Sequence, residues 1–312
     1  MELAVHRPEP GPRGQRTLRN PIGCVGTGLH TGAKVSLTLH PAEPDSGVRF
    51  LRYDRPGKSV IPARFDQVCD TTICTVLGDP GSTMVGTVEH LMAALAICEI
   101  DNLLIEVGGP ELPIMDGSAQ PFVFLIECAG TIEQGSARRC VEVLKPVSVA
   151  AHGKYARLEP AAELILDCEI RLEHPLIASQ AMCLPFEAET FKSAIACART
   201  FGFAERVEEL WSHGLARGGS LKNTVVVSRD RVLNQEGLRF PDEFVRHKML
   251  DSLGDLYLAG APLRGRFIGR CAGHTMHNKL LRALFADPAA WRMVDDAGPV
   301  ELPLPVRRVA GA

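Results

Sequence analysis

The 312-residue sequence has no apolar run of the roughly 18–20 residues that a bilayer-spanning helix needs. Its opening stretch, MELAVHRPEPGPRG, holds no apolar h-region, so it does not read as a secretory signal, and a cytoplasmic location is expected. Neither charge is in excess: 34 basic against 37 acidic residues leave a net charge of −3, with no bulk drive toward nucleic acid or an anionic membrane. No nucleic-acid partner and no membrane span are expected. The cysteines, at 24, 69, 74, 98, 128, 140, 168, 183, 197 and 271, form no C-x-x-C pair. In a cytosolic protein most of them read as small buried hydrophobes kept reduced. The HExxH spacing of zincin proteases is absent, so any zinc hydrolase here is of another kind. Two glycine-rich stretches also fall short. In Gly26-Thr27-Gly28-Leu29-His30-Thr31-Gly32 the third glycine comes one place late for a dinucleotide fingerprint, and the stretch reads as a tight turn between early strands. Gly218-Gly219-Ser220 has no lysine in the Walker position.

What is present is an ordinary globular composition, 46% hydrophobic and 23% charged, in a chain long enough for about two domains at roughly 150 residues each. Residues 1–15, rich in Pro, Arg and Gly, read as a mobile arm. The segments 35–40 and 48–54 alternate as strands, and TVEHLMAALAICEI predicts a helix with Thr87 as N-cap. A strand over 101–109 and a loop feeding a second helix complete the first half. After residue 135 the pattern restarts. CVEVLKPVSVA, KYARLEP and ELILDCEIRL read as strands, FKSAIACARTF as a short helix and TVVVS as a buried strand. DEFVRHKMLDSLGDLYLAG is the longest clear helix; RGRFIGRCAG, a strand, precedes the helix HTMHNKLLRALFAD. The expected organisation is α+β, with one domain over 16–135 and a second over 136–312.

Three constellations carry candidate chemistry. His247, Asp251 and Asp255 recur every four residues and form one polar ridge, with Val245, Met249, Leu253 and Leu256 roughly opposite. A His and an Asp one turn apart suit a divalent metal, and equally suit a solvated pair worth a few tenths of a kcal/mol. Glu89 and His90 open the other strong helix. His90 can complete a His/His/Asp set with an open position, the catalytic zinc arrangement, leaving Glu89 to take a proton from water. The bland alternative is that Glu89 complements the helix N-terminus and His90 lies on the surface. The two pairs are about 160 residues apart, and spacing alone does not bring them together. His274, between a strand and a helix, is a candidate general acid, or else a capping or surface histidine; His277 is a weaker candidate that reads as lying on that helix's flank.

The stretches GTGLHTG (26–32), DTTICT (70–75), TVEHLMAAL (87–95), PIMDGSAQPF (113–122), ARTFGF (198–203), GLRFPDEFVRHKMLDSLGDL (237–256) and GHTMHNKLL (273–281) together resemble the zinc-dependent UDP-3-O-acyl-N-acetylglucosamine deacetylases of lipid A biosynthesis. The likeness runs in order from about Arg16 onward, leaving the arm outside it and no appended dehydratase domain expected.

The resemblance implies two similar α+β domains whose helices face each other across a central site, one zinc ion, and hydrolysis of the substrate's 2-acetamido group. Carried over by position, His90, His247 and Asp251 match the zinc ligands, Glu89 the water-activating carboxylate and His274 the general acid, with Asp255 beside it. Thr200 matches an oxyanion-stabilising hydroxyl, Lys248 a substrate contact and Phe201 an aromatic near the sugar. An insert around 200–222 is expected to form the acyl channel, lined by Phe203, Val207, Leu215 and Ala216, with chain-length preference varying at Glu209, Trp211 and Arg217. A cytoplasmic monomer is expected, touching the membrane only through its substrate's lipid tail. Other readings are a zinc amidase for a different acylated amine, a non-catalytic protein whose metal has a fourth protein ligand, and a thiol enzyme built on Cys74.

Overall fold

A computed structural model of the chain describes residues 13–55 and 59–296. Six α-helices lie within them: α1 (Glu89–Ile97), α2 (Gln120–Ala129), α3 (Ala188–Ala194), α4 (Val207–Ser212), α5 (Glu243–Tyr257) and α6 (His274–Ala286). Together with the sheets they make an α+β fold. A five-stranded sheet runs in the order Ile22–Thr27, Lys34–Pro41, Leu103–Val107, Val48–Arg52, Val60–Pro62. The strand Lys34–Pro41 shows why the pattern was readable: Val35, Leu37 and Leu39 alternate into the core while Lys34, Ser36 and Thr38 do not. A seven-stranded sheet is drawn from residues 139–295 and centres on Leu263–Arg270, which pairs with Lys154–Glu159, Leu164–Arg171 and Arg139–Val143.

Between the sheets lie α1 and α5. Every residue of α1 is buried, and beyond Glu89 and His90 the helix is apolar on every side rather than on one stripe. In α5 all but Arg246 and Lys248 are buried, the polar ridge included. The two backbones touch: a β-carbon at Gly254 would lie 2.0 Å from the Glu89 carbonyl oxygen, a contact only glycine permits. In the middle of α1, the backbone nitrogen of Ala93 also faces Gly254, 3.0 Å from where a β-carbon would stand.

Several expectations are corrected. Thr87 does not cap α1: it takes a left-handed backbone (φ 56°) and gives its hydroxyl to Glu111, and Val88, in a helical conformation without a side-chain cap, occupies that position. The segment CVEVLKPVSVA is two strands, Arg139–Val143 and Val147–Ala151, divided at Pro146, which has no N–H for a ladder. The helix expected at 191–201 forms earlier, as α3, and the chain then extends past residue 198. His277 is not on an exposed flank but wholly buried, inside the stripe Met276, His277, Leu280, Leu281, Leu284 of α6. The expected arm lies outside the described residues up to position 12; Gly14 and Gln15 already belong to the strand Gly14–Leu18, paired with Thr131–Ala137.

Candidate active site

The helix pair brings together the residues that spacing alone could not. His90 Nε2 lies 3.7 Å and His247 Nε2 3.4 Å from Asp251 Oδ1, and that oxygen is buried without a hydrogen bond. Exposures of 4%, 2% and 2% for His90, His247 and Asp251 exclude the solvated His–Asp alternative. The two imidazoles meet edge to face at 5.0 Å between ring centres. Burial, then the neighbouring His247, pushes His90 down to about 3, and burial likewise lowers His247, so both rings are neutral and keep lone pairs. Although burial opposes it, His247 and Lys248 hold the Asp251 carboxyl well below its usual range. Two neutral imidazoles and one carboxylate with an orphaned oxygen fit a divalent cation, and the three ligand atoms lie within 4.8 Å of one another.

Glu89 and His274 flank this cluster. The Thr75 N–H donates to Glu89 Oε2 at 3.0 Å, and Glu89 Oε1 lies 3.9 Å from His274 Nε2. Burial raises the Glu89 carboxyl to about 7, against the pull of the His274 cation. Burial works against a proton on His274, but the carboxylates of Asp255 and Glu89 outweigh it and push the imidazole up to about 9. Asp255 Oδ2 lies 2.8 Å from His274 Nδ1 and 2.7 Å from His277 Nδ1, and its Oδ1 accepts the Thr75 hydroxyl at 2.6 Å. Asp255 thus lies beneath the site, holding His274 from behind.

A cavity of about 390 Å³ opens on the cluster, and Thr200, Phe201, Phe203, Val207, Ala216 and Lys248 all line it. Lys248 Nζ donates to Asp251 Oδ2 at 2.7 Å and lies 5.6 Å from the centre of the Phe201 ring. Leu215 is not in the lining. Its N–H turns back to the Leu210 carbonyl at 2.8 Å where the chain reverses after α4, and Leu210, Leu221 and Val226 supply the apolar wall instead. Trp211 also lines the cavity, and Glu209 and Arg217 do not.

Sequence reasoning misses one histidine and misplaces another. His30 lines the cavity from the turn set aside as a failed nucleotide loop, its Nδ1 buried and unpartnered. Its backbone is fixed by Glu111, which accepts from the N–H groups of His30 and Thr31 and from the hydroxyls of Thr31 and Thr87. A histidine inside a glycine-rich turn was the available signal. His277, a weaker candidate expected on the flank, is instead buried with its Nδ1 on Asp255, a partner that spacing along the chain does not reveal. Cys74 is a poor nucleophile: it is buried, and burial together with Glu89 raises its thiol far above the usual range.

Residues 15–286 match the family model described as LpxC: UDP-3-O-acyl N-acetylglycosamine deacetylase. The chain is similar to the UDP-3-O-acyl-N-acetylglucosamine deacetylase of Phenylobacterium zucineum (strain HLK1), 48% identical over 280 residues that cover 89% of this chain and 96% of that protein. It is equally similar to the protein of that name from Myxococcus xanthus (strain DK1622), 48% identical over 285 residues, 91% of this chain and 90% of the relative. For the namesake from Shewanella halifaxensis (strain HAW-EB4) the identity is 44% over 300 residues, 96% of this chain and 98% of the relative. With a likeness that spans nearly the whole chain, the protein belongs to the UDP-3-O-acyl N-acetylglycosamine deacetylase family.

Proposed function

We propose that the protein hydrolyses the 2-acetamido group of UDP-3-O-acyl-N-acetylglucosamine, releasing acetate and a free amine, in lipid A synthesis, and that zinc is its metal. The relatives' shared name supports the substrate. The observation that carries the chemistry is the orphaned Asp251 Oδ1 within 3.4 Å and 3.7 Å of two neutral imidazole nitrogens. His90, His247 and Asp251 would hold the zinc, which when bound would supply a Lewis acid for the amide carbonyl and a lowered water pKa of about 7.

The chain's own residues handle the protons. Thr75 occupies Glu89 Oε2, leaving Oε1 to accept the proton of the attacking water. Asp255 holds His274 at Nδ1, so Nε2–H faces Glu89 and the cavity and donates to the departing nitrogen as the carbon–nitrogen bond breaks. Thr200 offers a hydroxyl to the developing oxyanion, a contact of a kind worth about 3–4 kcal/mol. Lys248 and Phe201 hold the substrate's polar end. The wall of Phe203, Val207, Leu210, Ala216 and Leu221 takes the acyl chain. A cytoplasmic location and a monomeric state are part of the proposal.

The test is acetate release from the UDP-linked substrate by protein of measured metal content, before and after a chelator. Activity should vanish with the metal and return with zinc. Turnover that survives complete metal removal would defeat the metal reading, and equal turnover of sugars without UDP would point to a broader amidase.

A further inference from the structure

The segment 198–200 is fastened to α5 at two points one helical turn apart. His247 Nδ1 lies 3.1 Å from the Ala198 carbonyl oxygen. A carbonyl only accepts, so Nδ1 carries the hydrogen and Nε2 keeps the lone pair that a metal needs. Four residues earlier, Glu243 Oε1 accepts the Arg199 backbone N–H at 3.0 Å and Arg199 Nε–H at 2.9 Å. Its Oε2 accepts from an Arg199 terminal nitrogen at 3.2 Å and from the Arg239 N–H at 2.7 Å. Arg199 spends its remaining donors on Glu236 Oε1 and the Gly237 carbonyl, each at 2.7 Å. Glu243 is 0% and Arg199 2% exposed.

Four-residue spacing places Glu243 and His247 on one face of α5. Consecutive turns therefore grip the two ends of one peptide unit: the carbonyl of Ala198 and the N–H of Arg199. Thr200 follows directly, its own N–H donating to the Gly117 carbonyl at 2.7 Å. A buried ion pair is a poor way to gain stability, since well-packed apolar side chains commonly do as well or better. What this pair does supply is direction. The geometry points to Glu243, with Arg199 as its counter-ion, as a positioning residue. It sets where the Ala198 carbonyl stands, and through it the tautomer and ring orientation of His247 and the place of the Thr200 hydroxyl.

The inference rests on the metal-centre reading above, and its test keeps the two apart. Glu243→Gln preserves size and one acceptor but turns a donor toward the Arg239 N–H. Co²⁺ is titrated into metal-free protein and followed by its visible ligand-field bands, alongside kcat and KM. Wild type should bind Co²⁺ tightly. The variant should bind it about 10–100-fold more weakly, a typical loss for a partner of a ligating histidine. Its bands should shift, and kcat should fall by more than KM rises. Arg199→Lys keeps the buried charges but loses the fork, and carries the same test should Glu243→Gln fail to fold. A folded variant with wild-type Co²⁺ affinity and spectrum, even at a lowered melting temperature, would reduce the pair to a stabilising contact. Wild type that binds no Co²⁺ would instead overturn the metal centre itself.

Discussion

Gly254 of α5 packs against the carbonyl of Glu89 so closely that a β-carbon there would stand 2.0 Å from the oxygen and 3.0 Å from the Ala93 nitrogen. The residues that meet at the His/Asp cluster sit on either side of this seam, His90 next to Glu89 and Asp251 one turn before Gly254. Glycine at 254 is thus a condition for the site as well as for the packing. Gly254→Ala should lower unfolding stability by about 1–3 kcal/mol, the usual range for overpacking a core, and weaken metal binding with it. Urea unfolding and metal titration of the variant check both; a wild-type midpoint would contradict the close approach.

Glu89 and Asp251 are both buried carboxylates on this seam, and their removal should have opposite consequences. Glu89→Gln should keep the metal and the fold while turnover falls by about 10²–10⁴, the range for losing a general base. Asp251→Asn or His247→Ala should lose tight metal binding. Metal content measured beside kcat separates them. A Glu89 variant that loses its metal while His90→Ala retains it would reverse the assigned roles.

The pH profile follows from two groups needed in opposite forms. Glu89, raised by burial to about 7, acts deprotonated, so the rate should rise with pH through its pKa. A bound dication favours the carboxylate and places that acid limb at or below 7. His274, held up to about 9 by Asp255 and Glu89 against burial, is needed protonated, and the same dication disfavours that proton, so the rate should fall through a pKa at or below about 9. Asp255→Asn removes the carboxylate that keeps this proton, and the alkaline limb should move to lower pH. An alkaline limb of kcat/KM that stays in place would remove His274 from its role.

Val207 opens α4 and lines the apolar end of the cavity. Val207→Trp should shorten the space for an acyl chain. Each methylene denied burial costs about 0.8 kcal/mol, or roughly fourfold. The loss in kcat/KM should therefore grow with chain length and be small for short acyl groups. A uniform loss across a chain-length series would place the acyl group elsewhere.

What depends on neighbours along the chain is legible in the amino-acid order. Alternation turns Val35, Leu37 and Leu39 to one face, and a helical pitch of 3.6 residues puts His247, Asp251 and Asp255 in one row. The motif blocks carried the family. It takes the folded chain to show that His90 joins that row, that His277 is buried against Asp255, that His30 reaches the cavity and that Leu215 does not. Pitch and pleat are local, set by backbone geometry over a few residues. Which faces meet across about 160 residues depends on where side chains are absent, and here a missing β-carbon at Gly254 lets two helices close around one carboxylate oxygen.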